Sequence, residues 1–174
     1  MKLVDLDGRD LIHADNKLSQ SYFDNMLILP WTPFKNDQAV HIVTHGSKDA
    51  IFLEETMEKS IGNIVSYLDK SNSTIWKERK NNTEPTIVVL HCCNTAQGDN
   101  NIASQLSKET EGMIVVAPNE TLNLRLYDNI TPGEKVNNDG KWVIYQNGQE
   151  IGSLPGNTMP TSEIIKNEIN TNEE

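Results

Sequence analysis

A chain of 174 residues is long enough for one domain with a real hydrophobic core, and 36% hydrophobic with 6% aromatic residues describes a modest core among polar loops. With 15 basic against 25 acidic residues the net charge is −10, a sign that repels phosphate backbones and anionic lipid. This argues against nucleic-acid and membrane partners and leaves room for a protein or peptide substrate.

The opening "MKLVDLDGRDLIHADNK" has no apolar stretch of the kind a signal peptide needs, and no run approaches the ~18 apolar residues of a membrane span. Only two cysteines are present, adjacent at Cys92 and Cys93, and neighbours in sequence can close only a strained ring. A thiol-reduced, cytoplasmic setting is expected, in the cell of origin or in a target cell.

In chain order, "LVDL", Asp7-Gly8 and "RDLIH" predict an N-terminal hairpin. Pro30 and Pro33 argue against a long helix in the stretch that follows. "AVHIVTH" (39–45) is β-branched and is stopped by Gly46, which predicts a strand. From Glu54 to Leu68, the spacing of Met57, Ile61, Ile64, Val65 and Leu68 predicts an amphipathic helix. Residues 69–85 read as a loop with Trp76 as its one large apolar group.

"TIVVL" (86–90) and "MIVVAP" (113–118) read as strands buried on both faces. Between them Asp99 is placed to cap a helix carrying Ile102, Ala103 and Leu106 and ending near Gly112. Beyond 118, "TLNLRLYD" alternates, and Asn147-Gly148 lies between two strand-like arms, a hairpin signal. The alternation of strands and helices from 39 to 118 predicts an α/β domain with a mainly parallel sheet flanked by helices. The later hairpin is expected to extend one edge. This domain spans 1–158, and 159–174 reads as an acidic tail, loosely attached or disordered.

Open parallel sheets gather their chemistry beyond the carboxyl ends of the strands. Both "VHIVTHG" and "TIVVLHCC" deliver polar residues there, and one crossover helix separates them, so the strands can be neighbours about 4.8 Å apart. That spacing would bring His45 together with a thiol of the second strand. An imidazolium beside a thiol raises its thiolate fraction, and the backbone N–H groups of Gly46 and of the cysteine are candidate donors to a developing oxyanion.

Zinc ligation is an alternative use of His45, His91 and Cys93, although no further ligand completes a tetrahedral set. His41 and His45, about 13 Å apart on a strand, cannot share a metal. His41 reads as a hydrogen-bonded sheet residue and His13 as a surface residue. Either cysteine could instead simply pack in the core.

"AVHIVTHGS" followed by "TIVVLHCCNTA" resembles the signature of caspase-like (clan CD) cysteine peptidases, most closely bacterial toxin-associated caspase-like domains. In that pattern four hydrophobic residues precede His-Gly, and a second hydrophobic block leads to the nucleophile. The match sets Leu90 on the Leu, Cys92 on the small residue, Cys93 on the nucleophile, Thr95 on the Thr and Ala96 on the Gly. "NNIASQLSKETEGMIVVAPNETL" and "GKWVIYQNG" extend the likeness over roughly 31–152. Cys92 for Ala and Ala96 for Gly are departures, and Ala96 would be strained in a turn needing positive φ.

The resemblance implies a cysteine endopeptidase with a Cys93–His45 dyad and an oxyanion hole at Gly46 and Cys93. It needs no cofactor and no metal, and implies an (auto)processing or effector role in a bacterial toxin system. Trp31 and Asn119 are the candidate substrate-pocket residues. The alternatives are a non-catalytic acidic binding or immunity-type module of the same fold, and a thiol-dependent deamidase or acyltransferase.

Overall fold

The computed structural model describes residues 2–3, 11–13, 34, 37–53, 56–71, 73–127 and 131–172. Its main sheet has seven strands: β1 (Lys2–Leu3), β2 (Leu11–His13), β3 (Val40–Val43), β6 (Ile87–His91), β7 (Ile114–Pro118), β10 (Lys141–Gln146) and β11 (Gln149–Pro155), hydrogen-bonded in that order. Strands β2, β3, β6 and β7 run parallel to one another, and antiparallel partners, β1 on one side and β10 with β11 on the other, close the two edges. The two-stranded hairpins β4 (Ile51–Leu53) with β5 (Thr56–Glu58) and β8 (Leu122–Tyr127) with β9 (Thr131–Val136) stand apart from it. The helices are α1 (Ile61–Asp69), α2 (Thr74–Lys77), α3 (Ile102–Glu109) and α4 (Ser162–Asn172).

The architecture is thus mixed α/β with a mostly parallel main sheet. The reason lies in β3, β6 and β7, every residue of which is buried. Such strands need cover on both faces. Because strand side chains alternate, Val40, Ile42, Val88, Leu90, Val115 and Ala117 share one apolar cluster with Ile64 and Leu68 of α1, Trp76 of α2 and Leu106 of α3. Ile87, Val89, Ile114, Val116, Trp142 and Ile144 form the other with Leu154 of β11 and Ile165 of α4. Burying each such Ile or Leu stabilises the fold by about 1.5–3 kcal/mol.

Several expectations are corrected. The helix predicted from Glu54 begins only at Ile61, where Ser60 caps it by accepting from Asn63 N–H. Met57 lies instead in β5 and is exposed, because residues 56–58 pair with 51–53. The loop at 69–85 contains α2, which buries Trp76 completely; its indole N–H donates to Asp69 Oδ1 at 2.8 Å. Asp99 is exposed, and the cap of α3 is Asn101, whose Oδ1 accepts from Ser104 N–H at 2.9 Å.

The segment 162–172, read from sequence as part of a loose tail, forms α4 and buries Ile165 completely. The Asn147-Gly148 hairpin forms as expected, with both residues at positive φ (54° and 78°), and joins β10 to β11 at the sheet edge. The Asp7-Gly8 turn and the side chain of His13 lie outside the described residues.

Candidate active site

Strands β3 and β6 pair in parallel from Val40↔Val88 to Val43↔His91, and Thr44 N–H continues the ladder by donating to the His91 carbonyl at 3.4 Å. His45 and Cys93 each lie two residues beyond the Val43↔His91 pair, so both strands deliver them to the same carboxyl rim. Gly46 then packs directly on the cysteine turn. A Cβ built there would stand 2.8 Å from Cys92 Cβ and from Thr95 Cγ2, and 3.0 Å from the Cys93 carbonyl oxygen. No larger residue fits without parting the two segments.

The 46–50 loop is held by Ser47 N–H to the Ala50 carbonyl (2.9 Å), Phe52 N–H to the His45 carbonyl (2.9 Å) and Ile102 N–H to the Lys48 carbonyl (2.7 Å). The His45 ring is exposed and meets Phe52 edge-on, with centroids 6.4 Å apart. Among the described residues, neither the Gly46 N–H nor the Cys93 N–H donates to another group.

The two thiols have different surroundings. Cys92 is fully buried, its sulfur 3.6 Å from the Ile42 carbonyl oxygen, whereas Cys93 is partly exposed and its sulfur accepts from Leu122 N–H at 3.3 Å. The turn that follows is tied down by Thr95 Oγ1 to the Cys92 carbonyl (2.8 Å), Asn94 N–H to the Glu120 carbonyl (3.1 Å) and Ala96 N–H to the Pro118 carbonyl (2.9 Å). Positive φ falls on Asn94 (62°) and Gly98 (68°), not on Ala96, which packs in the core without the strain expected of it. Asparagine tolerates this left-handed conformation better than most residues.

His91 does not face the rim. It is buried, and its Nε2 lies 2.8 Å from His41 Nδ1, while His41 Nε2 lies 2.7 Å from Asp37 Oδ2. An ionised Asp37 accepts from His41 Nε2–H, and His41 Nδ1 and His91 Nε2 share one hydrogen between them. Asp37 also accepts from the backbone N–H of Ser162 (3.0 Å) and its hydroxyl (2.6 Å), tying the start of α4 to this chain.

Burial pushes the Asp37 carboxyl up, but the hydrogen bonds from His41 and Ser162, with the attraction of His41, outweigh it and hold Asp37 below its ordinary value. Phe34 packs on both imidazoles. Among the described residues, no group of three or more His, Cys, Asp or Glu is arranged to hold a metal. His41 is thus the sheet residue expected. Asp37 was not anticipated; the only hint was that buried strand histidines need partners.

A cavity of about 690 Å³ borders the cysteine turn, lined by Ala96, Asp99, Glu120, Tyr145 and Glu150 among others. Another of about 730 Å³ lies at the amino ends of β6 and β7, beside Thr86 and Met113, away from the His45–Cys93 rim. Asn119 lines the first, but its Oδ1 accepts from Lys141 N–H at 2.8 Å, so it also pins the end of β7 to β10. Trp31 lies outside the described residues.

Fold and rim together describe an α/β domain that presents an exposed histidine and a partly exposed cysteine at the carboxyl ends of adjacent parallel strands. Residues 14–144 match the model of a family described as a domain of unknown function (DUF8616), and the chain belongs to that family. No similar curated protein and no similar solved structure was found. No helix among the described residues is long and apolar enough to cross a membrane.

Proposed function

We propose that this domain is a caspase-like cysteine peptidase with Cys93 as nucleophile and His45 as general acid and base. One observation carries the reading: Gly46 lies against the Cys92–Thr95 turn, which holds the His45 segment beside the more exposed thiol. Cys92 is unsuited to attack because it is sealed in the core.

In the proposed reaction His45 takes the proton of the Cys93 thiol as the sulfur adds to the scissile carbonyl carbon. The N–H groups of Gly46 and Cys93, which donate to no other group among the described residues, receive the negative oxygen, each worth about 3–4 kcal/mol of transition-state stabilisation. The C–N bond then breaks, His45 gives a proton to the departing amine, and a thioester remains on Cys93. Water, losing a proton to His45, attacks the thioester; the C–S bond breaks, the carboxylic acid product leaves, and His45 returns the proton to the sulfur. The parallel β3–β6–β7 core, with histidine leaving one strand and cysteine the next, supports the caspase-like assignment. The same resemblance extends the proposal to an (auto)processing or effector role in a toxin system.

The test is incubation of wild type, Cys93→Ala and His45→Ala with a diverse peptide library, with products read by mass. Cleavage products that depend on both residues are expected. Mass changes of deamidation without chain scission would move the same dyad to a different reaction. No product from folded protein, with sluggish alkylation of Cys93 by iodoacetamide, would favour a binding module instead.

A further inference from the structure

We propose that the Asp37–His41–His91 chain is an acid-operated latch, which keeps the C-terminal helix α4 docked near neutral pH and releases it below about pH 6. The latch goes beyond the peptidase reading and does not depend on it. His41 of β3 and His91 of β6 stand two residues from Ala39 and Val89, on the sheet face that Ile165 of α4 covers. Asp37 joins the rings to the helix. It accepts from His41 Nε2–H at 2.7 Å, from the Ser162 hydroxyl at 2.6 Å and from the Ser162 backbone N–H at 3.0 Å, at the first residue of α4.

The number of hydrogens limits what the two rings can hold. His41 Nδ1 and His91 Nε2 lie 2.8 Å apart, a distance that requires one hydrogen between them. The neutral pair meets that requirement. So does a pair with one added proton, whose charge is matched by Asp37, which stays ionised in this range. A second added proton puts a hydrogen on both nitrogens and sets two imidazolium ions against each other, so the contact must break. Opened to water, each imidazole takes its own proton below about pH 6.5. In acid the open state therefore binds one more proton than the closed state. The closed state loses stability as pH falls, and the opening constant rises about tenfold for each pH unit.

Relief lies towards α4. Phe34, Trp142 and the start of α4 cover the rings, and Trp142 belongs to a strand paired on both sides, β10 between β7 and β11. The helix is the cover held by side-chain contacts. Other charges near it do not replace Asp37. Glu163 of α4 and Lys141 of β10 are exposed, Lys166 of α4 pairs with Glu84 at 3.1 Å, and Glu168 lies six residues, about 9 Å, along the helix from Ser162. Strands β6 and β7 bring Ile87, Val89, Ile114 and Val116 to this face, and the side chains of β2 lie outside the described residues.

The experiment compares wild type with His91→Gln by hydrogen–deuterium exchange of the α4 amides from pH 7.5 to 5, each rate divided by that of the unfolded peptide at the same pH. A glutamine amide can turn either its NH2 or its oxygen to His41, so the variant accepts a proton on His41 without opening. Wild type should lose α4 protection about tenfold per pH unit below about pH 6, while the β7 amides stay protected and His91→Gln shows no such loss.

Equal pH dependence in the two proteins, or undiminished α4 protection in wild type at pH 5, would overturn the latch. Should His91→Gln not fold, NMR titration of the wild-type imidazole C–H signals decides. Uptake of at most one proton by the pair while α4 is docked supports the latch, and uptake of two with α4 still docked overturns it. Neither measurement involves peptide cleavage, so either reading can fail without the other.

Discussion

Strands β3 and β6 each carry two chemically capable side chains, a few residues apart, and the two sets have opposite surroundings. His41 and His91 lie inside the sheet, 1% and 3% exposed, bonded to each other, with His41 also bonded to Asp37. His45 and Cys93 come just past the strand ends, one exposed and the other partly so. The same two strands thus carry internal polar struts at one level and accessible groups at the next, and histidine serves in both. The difference is set by what lies above them. Phe34, Trp142 and the start of α4 cover the inner pair, while at the rim the chain turns away.

The sharpest contrast comes from removing one member of each pair. Cys93→Ala should abolish peptide cleavage, a loss of roughly 10⁴-fold or more in kcat/KM, while changing stability little, as measured by product formation and urea unfolding. The matching change inside, His91→Ala, should act on stability. It breaks the Asp37–His41–His91 chain and opens a cavity beneath Trp142, at an expected cost of about 3 kcal/mol in urea unfolding. A thermodynamically silent His91→Ala would mean that the inner chain is not a strut.

Gly46→Ala probes the boundary between the two levels. Its Cβ would meet Cys92 Cβ and Thr95 Cγ2 at 2.8 Å, so the two segments must move apart, at about 1–3 kcal/mol. Activity is expected to fall further than stability, because the movement separates His45 from Cys93.

The smallest effect is in the acid limb. Asp37 is held below its ordinary value of 3.8, so its stabilisation is fully present above that pH. Below it the unfolded chain takes up the proton while the folded chain still resists, and the benefit is lost as pH falls through the folded value. The stability advantage of wild type over Asp37→Asn, read from urea midpoints, should therefore hold at neutral pH and shrink below about pH 4.

Locally encoded features were legible. The β-branched runs at 40–43, 87–91 and 114–118 became the parallel core, and Asn147-Gly148 made its turn because both residues tolerate positive φ. The alternating segment after 118 became β8, but its partner β9 went unread. So did the β4–β5 hairpin, where helical spacing across Met57 concealed two short strands. Periodicity cannot separate such short elements when tertiary pairing decides between them.

By itself, the sequence determined where the buried strands run and that His45-Gly46 and Cys92-Cys93 follow two of them, since side-chain alternation and branching act over a few residues. Tertiary structure alone decided which thiol is sealed, which histidines are struts, and that the acidic C-terminal segment is a docked helix. Those outcomes depend on contacts between residues distant in the chain, such as Ser162 with Asp37 or Leu122 with Cys93. Burial and hydrogen-bond satisfaction are properties of the assembled layers, and no local pattern encodes them.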